Sequence, residues 1–155
     1  MTLDTVQQRL TRAGLVLPAT PGALGAYLPA VRAGDLVFTA GQLPLYDGAL
    51  IATGTVGAGV DVELARSCAE RCALNALAAA ASVCELEDVI RVVKVTGFVA
   101  SASDFFAQPS VVDGASAVMG AAFGDVGRHA REAVGVASLP LGAPVEVSVV
   151  FQLRG

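Results

Sequence analysis

The chain has 155 residues, the size of one ordinary domain, and its 54% hydrophobic content supplies a sizeable core. Only 15% of residues are charged, which would cover a monomer's surface thinly, so a large subunit interface is expected. A net charge of −4 and a pI near 4.8 give no long-range positive field for a phosphate backbone, which disfavours nucleic acid as a partner.

The opening segment MTLDTVQQRLTRAG lacks the basic start, apolar centre and small-residue cleavage site of a secretion signal, and a cytoplasmic address follows by default. Thr5 to Ala13 predicts a short helix with Val6 and Leu10 on one face, stopped by Gly14. LPATPGALG then reads as a rigid connecting loop. The uncharged run from Ala13 to Val31 has the length of a membrane span, but Pro18, Pro21, Pro29 and three glycines would break a helix repeatedly, so no transmembrane segment is expected.

Tyr27 to Val31 and Leu36 to Ala40 predict two short strands joined at RAGD, a turn-rich tetrapeptide. Gly48 to Gly59 reads as a glycine-rich loop with a weak strand around Leu50 to Ala52. Asp61 is a good cap for a long helix reaching about Val83, whose second half is apolar nearly all round. Cys68 and Cys72 sit in it at helical spacing and read as buried structural thiols.

Val89 to Ala100, dense in β-branched residues, is the strongest strand signal. Ser110 to Phe123 predicts a second helix with Val111, Val118 and Ala122 inward, ended by Gly124 and Gly127. Ala133 to Ala137 and Val145 to Leu153 supply closing strands. The order implies an α+β fold with two main helices on one face of a mostly antiparallel sheet, an extra N-terminal helix, and a single domain over 1–155 in which 1–23 is the helix and its connecting loop.

Two charges near the C-terminal end, Arg131 and Glu146, lie on either side of a Leu-Pro-Leu-Gly turn. Strand alternation puts Val145, Val147, Val149, Phe151 and Leu153 on one face and Glu146 on the other, away from the deepest core. If 138–144 closed a hairpin, Val136 would lie opposite Glu146 and Arg131 on the order of 17 Å away, so a site using both would form where two subunits meet. Pattern alone leaves open whether the two are solvated surface charges or a site. His129, the only histidine, is a poor metal site by itself and reads as a surface or cleft-rim residue. The serines lack a nucleophile-elbow setting, and GTVGAG lacks the lysine and context of a phosphate loop.

Three segments together resemble the YjgF/YER057c/UK114 family, also called the Rid family: ALGAYLPAVRAGDLVFTAGQLPL, the long helix followed by DVIRVVKVTGFVAS, and HAREAVGVASLPLGAPVEVSVV. The match covers Leu24 to Leu153. The resemblance implies a chorismate-mutase-like fold and a homotrimer with clefts between subunits. In the deaminase branch it further implies a substrate-carboxylate anchor at Arg131 and a glutamate at Glu146 that positions or activates the water attacking a 2-imino or 2-enamino acid. The products are a 2-keto acid and ammonia, with no metal or organic cofactor. Tyr27 matches a cleft tyrosine, and Gly41 with Gln42 matches the family's turn.

Three positions depart from the deaminase pattern: Ala40 stands where a serine is usual, Ala133 where a cysteine is usual, and Gly114, counted back from Arg131, where an asparagine is usual. The chain thus resembles a side branch, for which an endoribonuclease name has little support in an acidic chain without a basic, aromatic-interleaved surface. Three expectations follow: a trimeric hydrolase of the 2-iminobutanoate/2-iminopropanoate deaminase kind, a non-catalytic binder or sensor of small carboxylates on the same trimer, or a trimer in which Arg131 and Glu146 only pair across the interface.

Overall fold

The computed structural model describes residues 4–20 and 25–155. Helix α1 (Val6–Arg12) starts at a reciprocal capping box, with Thr5 accepting from the Gln8 amide and the Gln8 side chain accepting from the Thr5 amide. Glu87 accepts the Val6 amide at 2.9 Å, tying α1 to the short helical turn Leu86–Asp88. The expected connecting loop falls partly on residues 21–24, outside the described residues.

Strands β1 (Ala30–Ala33) and β2 (Leu36–Thr39) form the expected hairpin. The first strand begins at Ala30 rather than Tyr27, because Pro29 interrupts it and only its carbonyl joins the ladder, accepting from the Ala40 amide at 2.8 Å. Strand β3 (Leu45–Tyr46), just before the segment read as loop, and β4 (Ala49–Leu50), the weak strand expected around Leu50, pair as a tight hairpin. Asp47 and Gly48 turn it with positive φ at both positions, the twist a tight hairpin requires. Two further short strands, β5 (Thr55–Val56) and β6 (Gly59–Val60), lead into the long helix.

Helix α2 (Val62–Ala80) is capped by the Asp61 carboxylate, which accepts from the Leu64 amide at 2.8 Å. Every residue from Cys72 to Ala80 is buried. The all-round apolar half has an all-round reason: the sheet lies on one side, helix α3 (Gln108–Phe123) on another, and Leu15 and Leu17 pack against the same core. Cys68 and Cys72 are fully buried, and burial raises both thiols, Cys68 to about 11, so neither is a ready nucleophile.

The central sheet has five strands in the order β1, β2, β9 (Val145–Leu153), β7 (Val89–Ala100), β8 (Ala130–Val136). All pairings are antiparallel except β7 with β8, which is parallel. The hairpin assumed for the last two strands is therefore not formed: β7 lies between them, and β8 starts at Ala130, three residues before the expected strand. Burial along β9 alternates strictly, with Val145, Val147, Val149, Phe151 and Leu153 on the side packed against α2, where Phe151 also meets Phe123 of α3. The opposite face carries no helix, and its residues Phe38 and Val134 are exposed.

Candidate functional site

Sheet register decides where Arg131 and Glu146 point, since directly paired residues share a face. Arg131 pairs with Val95, which pairs in turn with Val149, and both valines are buried on the helix side. Glu146 pairs with Phe98, which lies on the bare side. The two charges thus sit on opposite faces, two strands apart and offset by three residues, or about 14 Å between Cα atoms at ordinary strand spacings. Separation by face replaces the assumed hairpin as the reason they do not meet within one chain.

Arg131 lies on the edge strand β8, where its guanidinium meets the side of α3. One nitrogen, Nη1, donates to the Asp113 carboxylate at 2.7 Å and to Ser116 Oγ at 3.2 Å. Asp113 and Ser116 are three apart on α3 and so share one helix face. Among the described residues no partner engages Nε or Nη2, so a parallel two-donor edge is left for a planar anion. Ser116 Oγ also meets His129 Nε2 at 2.9 Å, and His129 Nδ1 meets the Gly127 carbonyl at 2.6 Å.

Asp113 and Ser116 were absent from the residues singled out in the sequence, and His129 entered it only as a surface or rim residue. The available signal was the spacing of two small polar residues on the flank of an otherwise apolar helix. Gly114, expected at the ligand cleft, is instead buried where α3 crosses α2, its Cα facing the Arg66 carbonyl so closely that a methyl would collide with it. The polar residue that reaches Arg131 is its neighbour Asp113, a helix step of about 100° away. Ala133, two residues beyond Arg131 on the same face of β8, packs against the core.

Glu146 lies half-buried on the bare face beside Gly41, whose missing side chain makes the room; a methyl there would overlap the carboxylate. Gln42 and Val147 exchange both backbone hydrogen bonds, at 2.8 and 3.0 Å, which fixes the turn on β9. Asn75 of α2 donates to the carbonyls of Leu43 and Leu45, and Arg71 donates to Leu45 while stacking over Tyr46, so the segment after the turn is anchored as well. Burial raises the Glu146 carboxyl above its ordinary value, which makes it a better proton acceptor near neutrality. Ala40 is half-buried at the same turn, and Tyr27, exposed, precedes β1 at the sheet end where Pro29 meets Ala40.

Further along β8, on the face of Arg131, Gly135 opens into a groove of about 390 Å³ with Ser101, Phe105, Phe106 and Gln108. It contains none of the expected site residues. Among the described residues no group of three or more His, Cys, Asp or Glu is placed to hold a metal ion, and no helix is long and apolar enough to cross a membrane.

An edge arginine held by a helix, and a half-buried glutamate on an uncovered sheet face, define a small α+β protein of the chorismate-mutase-like class. A family model described as "YjgF/chorismate_mutase-like, putative endoribonuclease" matches residues 7–153, and the chain belongs to that family. It is 41% identical over 151 residues to protein TCP17 of Trypanosoma cruzi, covering 96% of this chain and 94% of the relative. The crystal structure of Atu1372 from Agrobacterium tumefaciens, a protein of unknown function, superposes with a TM-score of 0.88 at 41% identity, over 97% of this chain and 94% of that one. TdcF of E. coli, solved with bound serine, gives a TM-score of 0.63 at 26% identity, over 88% of this chain and 94% of that one.

Proposed function

We propose that this protein hydrolyses reactive 2-imino and 2-enamino acids to 2-keto acids and ammonia. The observation that carries the reading is the free two-donor edge of Arg131, presented by Asp113 and Ser116 at the rim of the sheet. Such an edge suits a carboxylate better than a lone ammonium would. Serine, the molecule bound to the relative TdcF, is itself a small carboxylate.

In this reading the chain works as one 1–155 unit in a cytoplasmic homotrimer, and each cleft joins Arg131 of one copy to Glu146 of the next. Their placement on opposite faces favours a shared site, because a neighbour laid against the edge of β8 brings its own bare face with it. Arg131 holds the substrate carboxylate. Glu146 takes a proton from the water that adds to the imine carbon and passes it to the nitrogen, giving a carbinolamine. It then takes the hydroxyl proton and delivers it to the same nitrogen as the C–N bond breaks, so that ammonia leaves and the keto group remains. Tyr27 walls the cleft, with Ala40, Gly41 and Ala133 as apolar lining. Imines of this kind already hydrolyse in water, so positioning and one proton acceptor are sufficient help.

A second reading, binding of a small carboxylate without turnover, is favoured by Ala40 and Ala133, which put methyls where the deaminase pattern has a hydroxyl and a thiol. The two readings separate when 2-aminoacrylate and 2-iminobutanoate are generated in solution by an amino-acid dehydratase or oxidase. Imine decay faster with wild type than with Arg131→Ala or no protein supports the hydrolase. Equal decay in all three, with a carboxylate that binds wild type alone, supports the binder.

A further inference from the structure

Arg131 has a supporting structure of its own. We propose that Ser116 and His129 are positioning residues that fix which edge of the Arg131 guanidinium faces a ligand; the inference rests on the reading of Arg131 as a carboxylate anchor. Donor and acceptor roles along the chain of contacts can be assigned from one end. The Gly127 carbonyl only accepts, so His129 Nδ1, 2.6 Å away, carries a proton. With the ring neutral, Nε2 is then an acceptor, and the Ser116 hydroxyl, 2.9 Å away, donates its single hydrogen to it. The lone pairs of Ser116 Oγ are thereby turned to Arg131, whose Nη1 donates at 3.2 Å.

The other hydrogen of Nη1 goes to Asp113 at 2.7 Å. One acceptor alone would let the guanidinium swing about that contact. Two acceptors, from adjacent turns of α3, determine its plane and leave Nε and Nη2 as the outward edge. The far end of the relay is equally fixed. Gly127 is buried against the backbone of Met119 and Gly120 in α3, too close for any side chain, so the carbonyl that sets the His129 tautomer belongs to a rigid seat. His129 is also the residue immediately before β8, so the relay pins the entry of that edge strand to the helix.

His129 is the only histidine in the chain, so the imidazole nitrogen spectrum of the protein reports one ring. With the ring neutral and no ligand added, that spectrum is expected to show Nδ1 protonated and Nε2 bare. Pyruvate serves as the carboxylate probe. Ser116→Ala is expected to weaken its binding about three- to tenfold, the effect of one hydrogen bond, and to raise KM for an imine far more than it lowers kcat. Ser116→Thr, which keeps the hydroxyl, is expected to bind within about twofold of wild type. A ring protonated at Nε2 overturns the relay, as does a Ser116→Ala protein that binds pyruvate as wild type does while Arg131→Ala loses it. If Arg131→Ala itself binds pyruvate normally, the carboxylate-anchor reading fails, and the ring tautomer alone supports or overturns the relay.

Discussion

On one side of β9, Val145, Val147, Val149, Phe151 and Leu153 are buried beneath helix α2 of the same chain. On the other, Glu146, Ser148, Val150 and Gln152 are left half-exposed beside Phe38 and Phe98. The same nine residues supply both faces, and only the first is completed within one chain. In a protein with 15% charged residues, a sheet face without a helix over it, carrying exposed Phe38 and Val134 among its polar residues, is the physical basis for the proposed trimer. The contrast also separates two kinds of constraint. Packing governs the covered face, whereas on the bare face the positions that count are those a neighbour and a ligand would touch.

The comparison can be broken most strongly at Gly114. Its Cα lies against the Arg66 backbone, which cannot move aside cheaply, so Gly114→Ala is expected to cost on the order of 1–3 kcal/mol in denaturant unfolding. A neutral result would mean that the crossing of α2 and α3 is looser than described. On the bare face, Phe38→Lys is expected to change folding stability by less than about 1 kcal/mol while shifting sedimentation toward smaller species with an unchanged circular-dichroism spectrum. Retention of the wild-type assembly would remove that face from the interface.

The smallest effect is expected at Glu146, where the sign is informative. Burial raises its carboxyl, so between the unfolded value and the higher folded value the native state holds more protons, and stability falls as pH rises through that window. Glu146→Gln is therefore expected to be the more stable protein at neutral pH, by an increment that disappears once the medium is acid enough to protonate both states. Thermal unfolding across the acid range checks it, and a variant less stable at neutral pH would mean that the carboxylate is held by a partner rather than penalised by burial.

Much of this arrangement was legible in residue patterns. The alternation in β9, the β-branched run of β7 and the Asp61 cap of α2 each identified its element, because local burial and local hydrogen bonding agree there. Strand order was not legible: β8 and β9 are neighbours in the chain, and the insertion of β7 between them depends on contacts that no local signal records. The Asp-Gly turn at 47 and 48 was a readable hairpin signal, obscured by the glycine-rich stretch after it. At the candidate site, pattern alone left Arg131 and Glu146 open between surface charges and a site, and it was the family resemblance that singled out both, together with Gly41. The support for Arg131 did not stand out, since Asp113, Ser116 and His129 converge only once α3 and β8 are packed together.

The central claim, a site built from Arg131 of one copy and Glu146 of another, is tested most directly by subunit mixing. Arg131→Ala and Glu146→Gln proteins would be assayed for imine hydrolysis separately, and then after unfolding and reassembly as an equal mixture. The account predicts two inactive variants and a mixture that recovers about one quarter of wild-type activity, because random assembly leaves that share of clefts with both side chains intact. A mixture as inactive as its parents, with mixed trimers verified by mass spectrometry, would contradict a shared site.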